Sequence, residues 1–298
     1  MLKTRFYLIC IFLFALFSAN RLYAADYFAR ALRIYSEGKF YEASIEFERA
    51  IFYENDNAKI ARYKYYKALC YRNLGENARA VEELNGINLF SASDSLYYRV
   101  KYEQALCNFL NQKAQEALWN LEDLKLKLAD TSKYYDIIPL NILCLNTVRD
   151  WSGALKLWDY YIDHSGLGDS AVKACRREIQ VLYIKRNTPG YYSPDKAENW
   201  SRFIPGSGQI YCGAVAEGSF NFLIHAGLLA YSFVEFYNRF YLTGYFTGLG
   251  VFYKFYMGGM HRARILADTR NREGIRKFNA GNVSFMMRIS EAGQRADH

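Results

Sequence analysis

A spacing of 37 residues organises the first half of this chain. Ala31-Leu32, Ala68-Leu69-Cys70, Ala105-Leu106-Cys107 and Ile142-Leu143-Cys144 fall in one column at that step. Ala43, Ala80, Ala117 and Ala154 fall in a second, and Phe47, Leu84, Leu121 and Trp158 in a third. Gly38 and Gly75 share a fourth phase, continued by Gln112 and Arg149. Several columns that keep one spacing over four units specify stacked copies of one structural element, each burying its apolar face against its neighbours.

The element reads as two helices joined by a tight turn. In the first copy Phe28, Ala31, Leu32 and Tyr35 recur at helical spacing. Gly38-Lys39 then supplies a turn whose glycine can take the left-handed conformation that ends a helix, and Ala43, Phe47, Ala50 and Ile51 repeat the pattern. Only 4 prolines in 298 residues agree with long helices. Gly38-Lys39-Phe40-Tyr41-Glu42-Ala43, followed by Phe47 and Ala50, resembles the tetratricopeptide repeat signature of glycine, aromatic, alanine, aromatic and alanine. The resemblance implies an all-α, helical-hairpin repeat solenoid over residues 25–187, with Asp169 to Lys185 as its polar-backed capping helix. Cys70, Cys107 and Cys144 share one position in successive first helices. Neighbouring helices stand about 8–10 Å apart, too far for a disulfide, so the three read as small core residues. Tyr63, Tyr65, Tyr66, Tyr97, Tyr98 and Tyr102 crowd the first helices of units two and three. Half of such a set belongs in the core, and the rest could line a groove.

Residues 1–24 read as a secretory signal: Lys3 and Arg5, then an apolar run from Phe6 to Ala19, then a cleavage site after Ala24. Export into a bacterial envelope, with the repeats periplasmic, is the expectation.

The segment 188–203 reads as a linker, because Pro189-Gly190 and Pro194 punctuate its start. After it, residues 204–260 carry Pro205-Gly206-Ser207-Gly208-Gln209-Ile210-Tyr211-Cys212-Gly213 ahead of two apolar segments, Phe222 to Val234 and Phe240 to Met260. The pattern is similar to a bacterial membrane-domain family of uncharacterised function, distantly like the two-helix TM2 domains. That similarity rests on Pro205, Gly206, Gly208, Gln209, Tyr211 and Gly213, and it implies a C-terminal two-helix membrane hairpin. The motif residues serve either helix packing or, through Gln209 and Tyr211, a partner at the bilayer surface. Gly244, Gly248 and Gly250 would let helices approach closely, within the chain or between copies in a homo-oligomer. Residues 261–298 form a basic tail in which Arg262, Arg264, Arg270 and Arg272 are candidates for lipid-headgroup contact.

The formal charge of +8 does not sit on the repeats, which hold 23 basic against 22 acidic residues over 25–190. A nucleic-acid domain concentrates its excess on the folded body, so nucleic acid is excluded as a partner. No serine elbow, zinc-type histidine pair or phosphate loop occurs; Gly206-Ser207-Gly208-Gln209 lacks the lysine a phosphate loop needs. The sequence therefore predicts no catalytic, cofactor or metal site. The expected protein is a membrane-tethered envelope scaffold whose repeats bind a protein or peptide. The alternative makes the hairpin the active part, oligomerising or assisting membrane-protein insertion, with the repeats recruiting clients.

Overall fold

The computed structural model describes residues 23–91, 93–127 and 131–296, so residues 1–22 of the segment 1–24 read as a signal lie outside the described residues. Every regular element among them is helical, as expected for an all-α chain. The chain divides into two compact units, residues 1–168 and 169–298.

The first unit is four helical hairpins in series. They are α1 (23–36) with α2 (Phe40–Tyr53), α3 (Asn57–Asn73) with α4 (Asn77–Asn85), α5 (Asp94–Leu110) with α6 (Ala114–Lys127), and α7 (Thr131–Thr147) with α8 (Trp151–Asp163). The starts of the second helices, residues 40, 77, 114 and 151, keep the 37-residue step. Each alanine of the second column and each large residue of the third is fully buried, as are Ala31, Ala68, Ala105 and Ile142. The column pairs a small residue, which lets two helices approach, with a large one that fills the groove beside it. Cys70, Cys107 and Cys144 are buried free thiols, and desolvation pushes each up to about 12. All six tyrosines pack on the core: Tyr63 and Tyr65 are buried, and Tyr66, Tyr97, Tyr98 and Tyr102 lie partly buried against it.

The turns explain the fourth column. Gly38 and Gly75 stand at φ 79°, and Gln112 and Arg149 hold the same left-handed position at φ 63° and 65°. In each, the left-handed residue donates its N–H to the carbonyl three back and the next residue donates five back, as in Lys39 N–H to Ile34 O and Lys113 N–H to Asn108 O. This is the Schellman helix ending.

In the second unit α9 (Asp169–Leu182) runs beside the last helix: Glu178 pairs with Arg288, and the Tyr183 hydroxyl donates to Asn282 Oδ1 at 2.8 Å. The segment read as a linker is largely a helix, α10 (Pro194–Phe203), with Ser193 as N-cap accepting from Lys196 N–H. Asn271 fastens the turn before it, exchanging two hydrogen bonds with the Tyr192 backbone at 2.9 and 2.7 Å. There follow α11 (Ser207–Tyr211), α12 (Val215–Tyr237), the short α13 (Tyr241–Thr243), a π-helical turn Gly244–Leu249, and α14 (Gly250–Ala296). The π turn divides the second apolar segment, and its apolar remainder runs straight into the basic part of α14. No helix among the described residues is long and apolar enough to cross a membrane, so the two-helix membrane hairpin expected from the sequence has no transmembrane helix here.

Candidate functional site

Residues 205–213 form a packed knot at the foot of α12. Pro205-Gly206 are the central residues of a turn closed by Ser207 N–H to Ile204 O, with Gly206 at φ 91° and ψ −18°. That is the type II geometry that proline at the second position and glycine at the third favour. Gly206 and Gly218 approach each other so closely that a Cβ on either would meet the other's carbonyl oxygen. A Cβ on Gly208 would run into Ala197 O, Ser201 Oγ and Ala263 Cβ. Gln209 is 1% exposed: its Oε1 accepts from Ser201 Oγ at 3.2 Å and its Nε2 donates to Gly259 O at 3.1 Å. The Tyr211 hydroxyl accepts from Ser193 N–H at 3.1 Å. Gly213, at φ 81°, starts α12 through the same Schellman turn that joins the repeats. All six motif residues thus come together, and the side chains of Gln209 and Tyr211 tie α11 to Ser201 of α10, to the N-cap Ser193 and to Gly259 of α14. Gln209 is held on both sides of its amide by the fold, which supports the packing role for it.

Above this knot α12 pairs antiparallel with 241–262. Glu217 meets Arg262, a Cβ on Gly259 would meet Asn221 Nδ2, one on Gly248 would meet Ser232, and one on Gly244 would meet Phe236. The buried residues of α12 are Gly218, His225 and Ser232, spaced by seven so that they form one stripe. The seam is therefore small and polar. His225 Nδ1 lies 2.7 Å from Asn221 O, and its Nε2 is buried with no partner. Gly244 and Gly248 serve the seam as expected, whereas Gly250 meets nothing on α12; Gly259 takes the third place.

The outside of the pair is apolar. Phe220, Phe222, Leu223, Leu229, Phe233 and Tyr237 on α12 are exposed, and so are Phe240, Leu242, Tyr245, Phe246, Tyr253 and Phe255 across from them. A helix pair in water buries such residues and exposes its polar ones. Here the order is reversed, and the apolar surface far exceeds the scattered exposure normal for soluble proteins.

A charged collar closes the foot of the pair. Arg262 grips Glu217 with Nε and Nη2 at 2.8 and 3.1 Å, and those hydrogen bonds hold the Glu217 carboxyl below its ordinary range. Arg264 pairs with Asp195 at 3.0 Å and Glu198 at 2.9 Å, and Arg270 with Glu273 at 3.8 Å. Arg272 is exposed and has no ion pair among the described residues. Exposed Trp200, Phe203 and Ile204 lie at the same level, where the Tyr256 hydroxyl donates to Arg202 O at 2.7 Å. A cleft of about 430 Å³ opens between apolar band and collar, lined by Phe220, Ile224, Phe255, Lys254 and Arg262 among others.

Sequence reading missed the seam. Its signal was the spacing of seven from Gly218 through His225 to Ser232, which a search for apolar periodicity passes over because those residues are not apolar. Among the described residues no group of histidine, cysteine and carboxylate side chains is placed to hold a metal ion. Compared with protein-family models, with curated proteins and with solved structures, the chain shows no match.

Proposed function

We propose that this chain is a non-enzymatic scaffold of the bacterial cell envelope. In this reading residues 25–168 are a tetratricopeptide-like solenoid that binds a protein or peptide outside the cytoplasm, and the α12–α14 pair is immersed in lipid and tethers it. The carrying observation is the inverted helix pair, with glycine, serine, asparagine and histidine inside and phenylalanine, leucine and tyrosine outside on both arms. A protein partner covers one face of such a pair, whereas lipid covers every face at once. Small residues in a seam are how helices associate where water supplies no driving force between them. From Phe220 to Tyr237 the helix rises about 26 Å, short of a hydrocarbon core of about 30 Å, so the pair enters the lipid without a spanning helix. Gly244 and Gly248 are used within the chain, which leaves Gly250 as the glycine of that set open to a second copy.

Flotation of the full chain with phosphatidylcholine vesicles tests the reading. The wild type should rise with the vesicles, and the triple variant Phe233→Ser, Leu242→Ser, Phe246→Ser should stay behind with unchanged helicity, because all three side chains are exposed. A wild type that stays behind as a monodisperse species, free of detergent, would sink the proposal. Protease access to the repeats in intact spheroplasts tests the side of the membrane: protection would move them to the cytoplasm.

A further inference from the structure

Lys254 is the one charge between Arg239 and the collar, and it stands within the apolar band. It is exposed, and among the described residues it has neither a carboxylate nor a hydrogen-bond partner. An ammonium beside lipid tails is costly unless it reaches water or an anion. Among the described residues the one carboxylate lining the same cleft, Glu217, is paired with Arg262. Lys254 shares that cleft with Arg262, about 12 Å further along the same helix. The lysine stem can lie along that apolar wall and carry its head toward the collar. Arg262 contributes there too, because its side-on grip of Glu217 leaves the Nη1 hydrogens undirected. Phe220, Ile224 and Phe255 supply the apolar part of the lining, continuous with the lipid-facing surface above, and Gln209, Glu217 and Asn221 line the cleft beside them.

We infer that this cleft is a binding site for one anionic phospholipid, with the phosphate between Lys254 and Arg262 and an acyl chain against Phe220, Ile224 and Phe255. The inference rests on the lipid reading of the helix pair and adds to it a headgroup charge and a place. It also narrows headgroup recognition from four tail arginines to Arg262, joined by Lys254. Arg264 and Arg270 are paired to carboxylates of their own unit, so a phosphate would have to displace those partners. Net charge in the cleft is positive, since Lys254 and Arg262 outweigh Glu217. A soluble anion would gain only the cations, whereas a phospholipid matches both the charged floor and the apolar wall.

The test compares binding of the full chain to vesicles of phosphatidylcholine alone and of phosphatidylcholine mixed with phosphatidylglycerol. The wild type should bind both, and the mixed vesicles more tightly. Lys254→Gln should lose about fivefold in partitioning onto the mixed vesicles, the effect of one cation at an anionic surface, and nothing on the neutral ones. The double variant Arg272→Gln, Lys277→Gln removes two exposed cations of the tail and should keep the preference for phosphatidylglycerol. If Lys254→Gln leaves that preference intact, or if the tail variant abolishes it, the cleft does not select the headgroup and the inference is overturned. A wild type that fails on neutral vesicles overturns the lipid reading itself, and this inference falls with it. Lys254 is exposed, so unchanged ellipticity of Lys254→Gln separates lost binding from lost folding.

Discussion

Substitutions at the helix-ending position of the turns have a sign that depends on backbone conformation alone. Gly38, Gly75 and Gly213 stand at φ 79°, 79° and 81°, and a Cβ added to any of them meets nothing within 4 Å. Gly38→Ala or Gly75→Ala therefore has no steric clash, only the cost of a left-handed L-residue, about 1–2 kcal/mol. Alanine also restricts the unfolded chain, which offsets about 0.4–1 kcal/mol. The net expectation is a loss of about 0.5–1 kcal/mol per site. Gln112, at φ 63°, is exposed with no side-chain hydrogen bond among the described residues, so Gln112→Gly should run the other way and gain a similar amount. Urea unfolding of the full chain in mild detergent, followed by helical ellipticity, measures all three. If 38 and 75 were ordinary helical positions, alanine would be better than glycine by about 1 kcal/mol. Stabilisation by Gly38→Ala, or destabilisation by Gln112→Gly, would therefore refute the reasoning.

The glycines of the foot should grade in the same assay. Gly213→Ala should cost about 1 kcal/mol, as at the repeat turns, while Gly206→Ala adds a collision with the Gly218 carbonyl to a φ of 91° and should exceed about 3 kcal/mol; equal effects would mean that the close approach is not real. The buried thiols make the repeats alkali-sensitive. Their folded values of about 12 lie above the unfolded 9.0, so the neutral form is favoured by folding, its contribution is complete below pH 9, and it is lost as pH rises toward 12. Each thiol should steepen the loss of stability above pH 9 by about 1.4 kcal/mol per pH unit. The triple variant Cys70→Ala, Cys107→Ala, Cys144→Ala should flatten that slope, leaving the part due to Tyr65 and Tyr98, which burial also raises to about 12; an unchanged slope would show that the thiols are not desolvated.

The repeats were legible because their physics is periodic. An alanine that admits a neighbouring helix and the bulky residue that fills the groove recur at 37, and the structure buries both columns without exception. Gln112 and Arg149 show the reach and the limit of such reading. Their phase placed them in the turn, but residue type alone would not put a left-handed backbone there, since it is the two carbonyls of the preceding helix that hold it. The polar-backed helix after residue 168 was legible as a helix and not by its company: Glu178 and Tyr183 find Arg288 and Asn282 more than ninety residues later, a contact no local pattern encodes. The segment before residue 204 looked like a linker for the same reason. Pro194 stops one helix but also suits the first turn of the next, and only Asn271, far along the chain, fixes the turn in place.

The C-terminal pair shows why averaged hydropathy and geometry part company. Asn221, His225 and Ser232 lower the mean over α12, yet all three face the seam, where they meet Gly259, Phe252 and Gly248; His225 and Ser232 are buried there and Asn221 is half-buried. The surface a solvent does meet is set by the remaining positions, and on both arms its large side chains are phenylalanine, leucine and tyrosine, with Lys254 among them. A helix judged alone is charged for polar groups that its partner covers. Judged as a pair, it is apolar outside, polar within and collared by ion pairs at one end. The glycines follow from the same inversion: without large side chains to interdigitate, two helices gain contact only by bringing their backbones together, so Gly244, Gly248 and Gly259 stand where α12 passes closest. Gly250 lies within two residues of Gly248 and meets nothing on that helix. Composition makes the two glycines equivalent; only the register of the pair tells them apart.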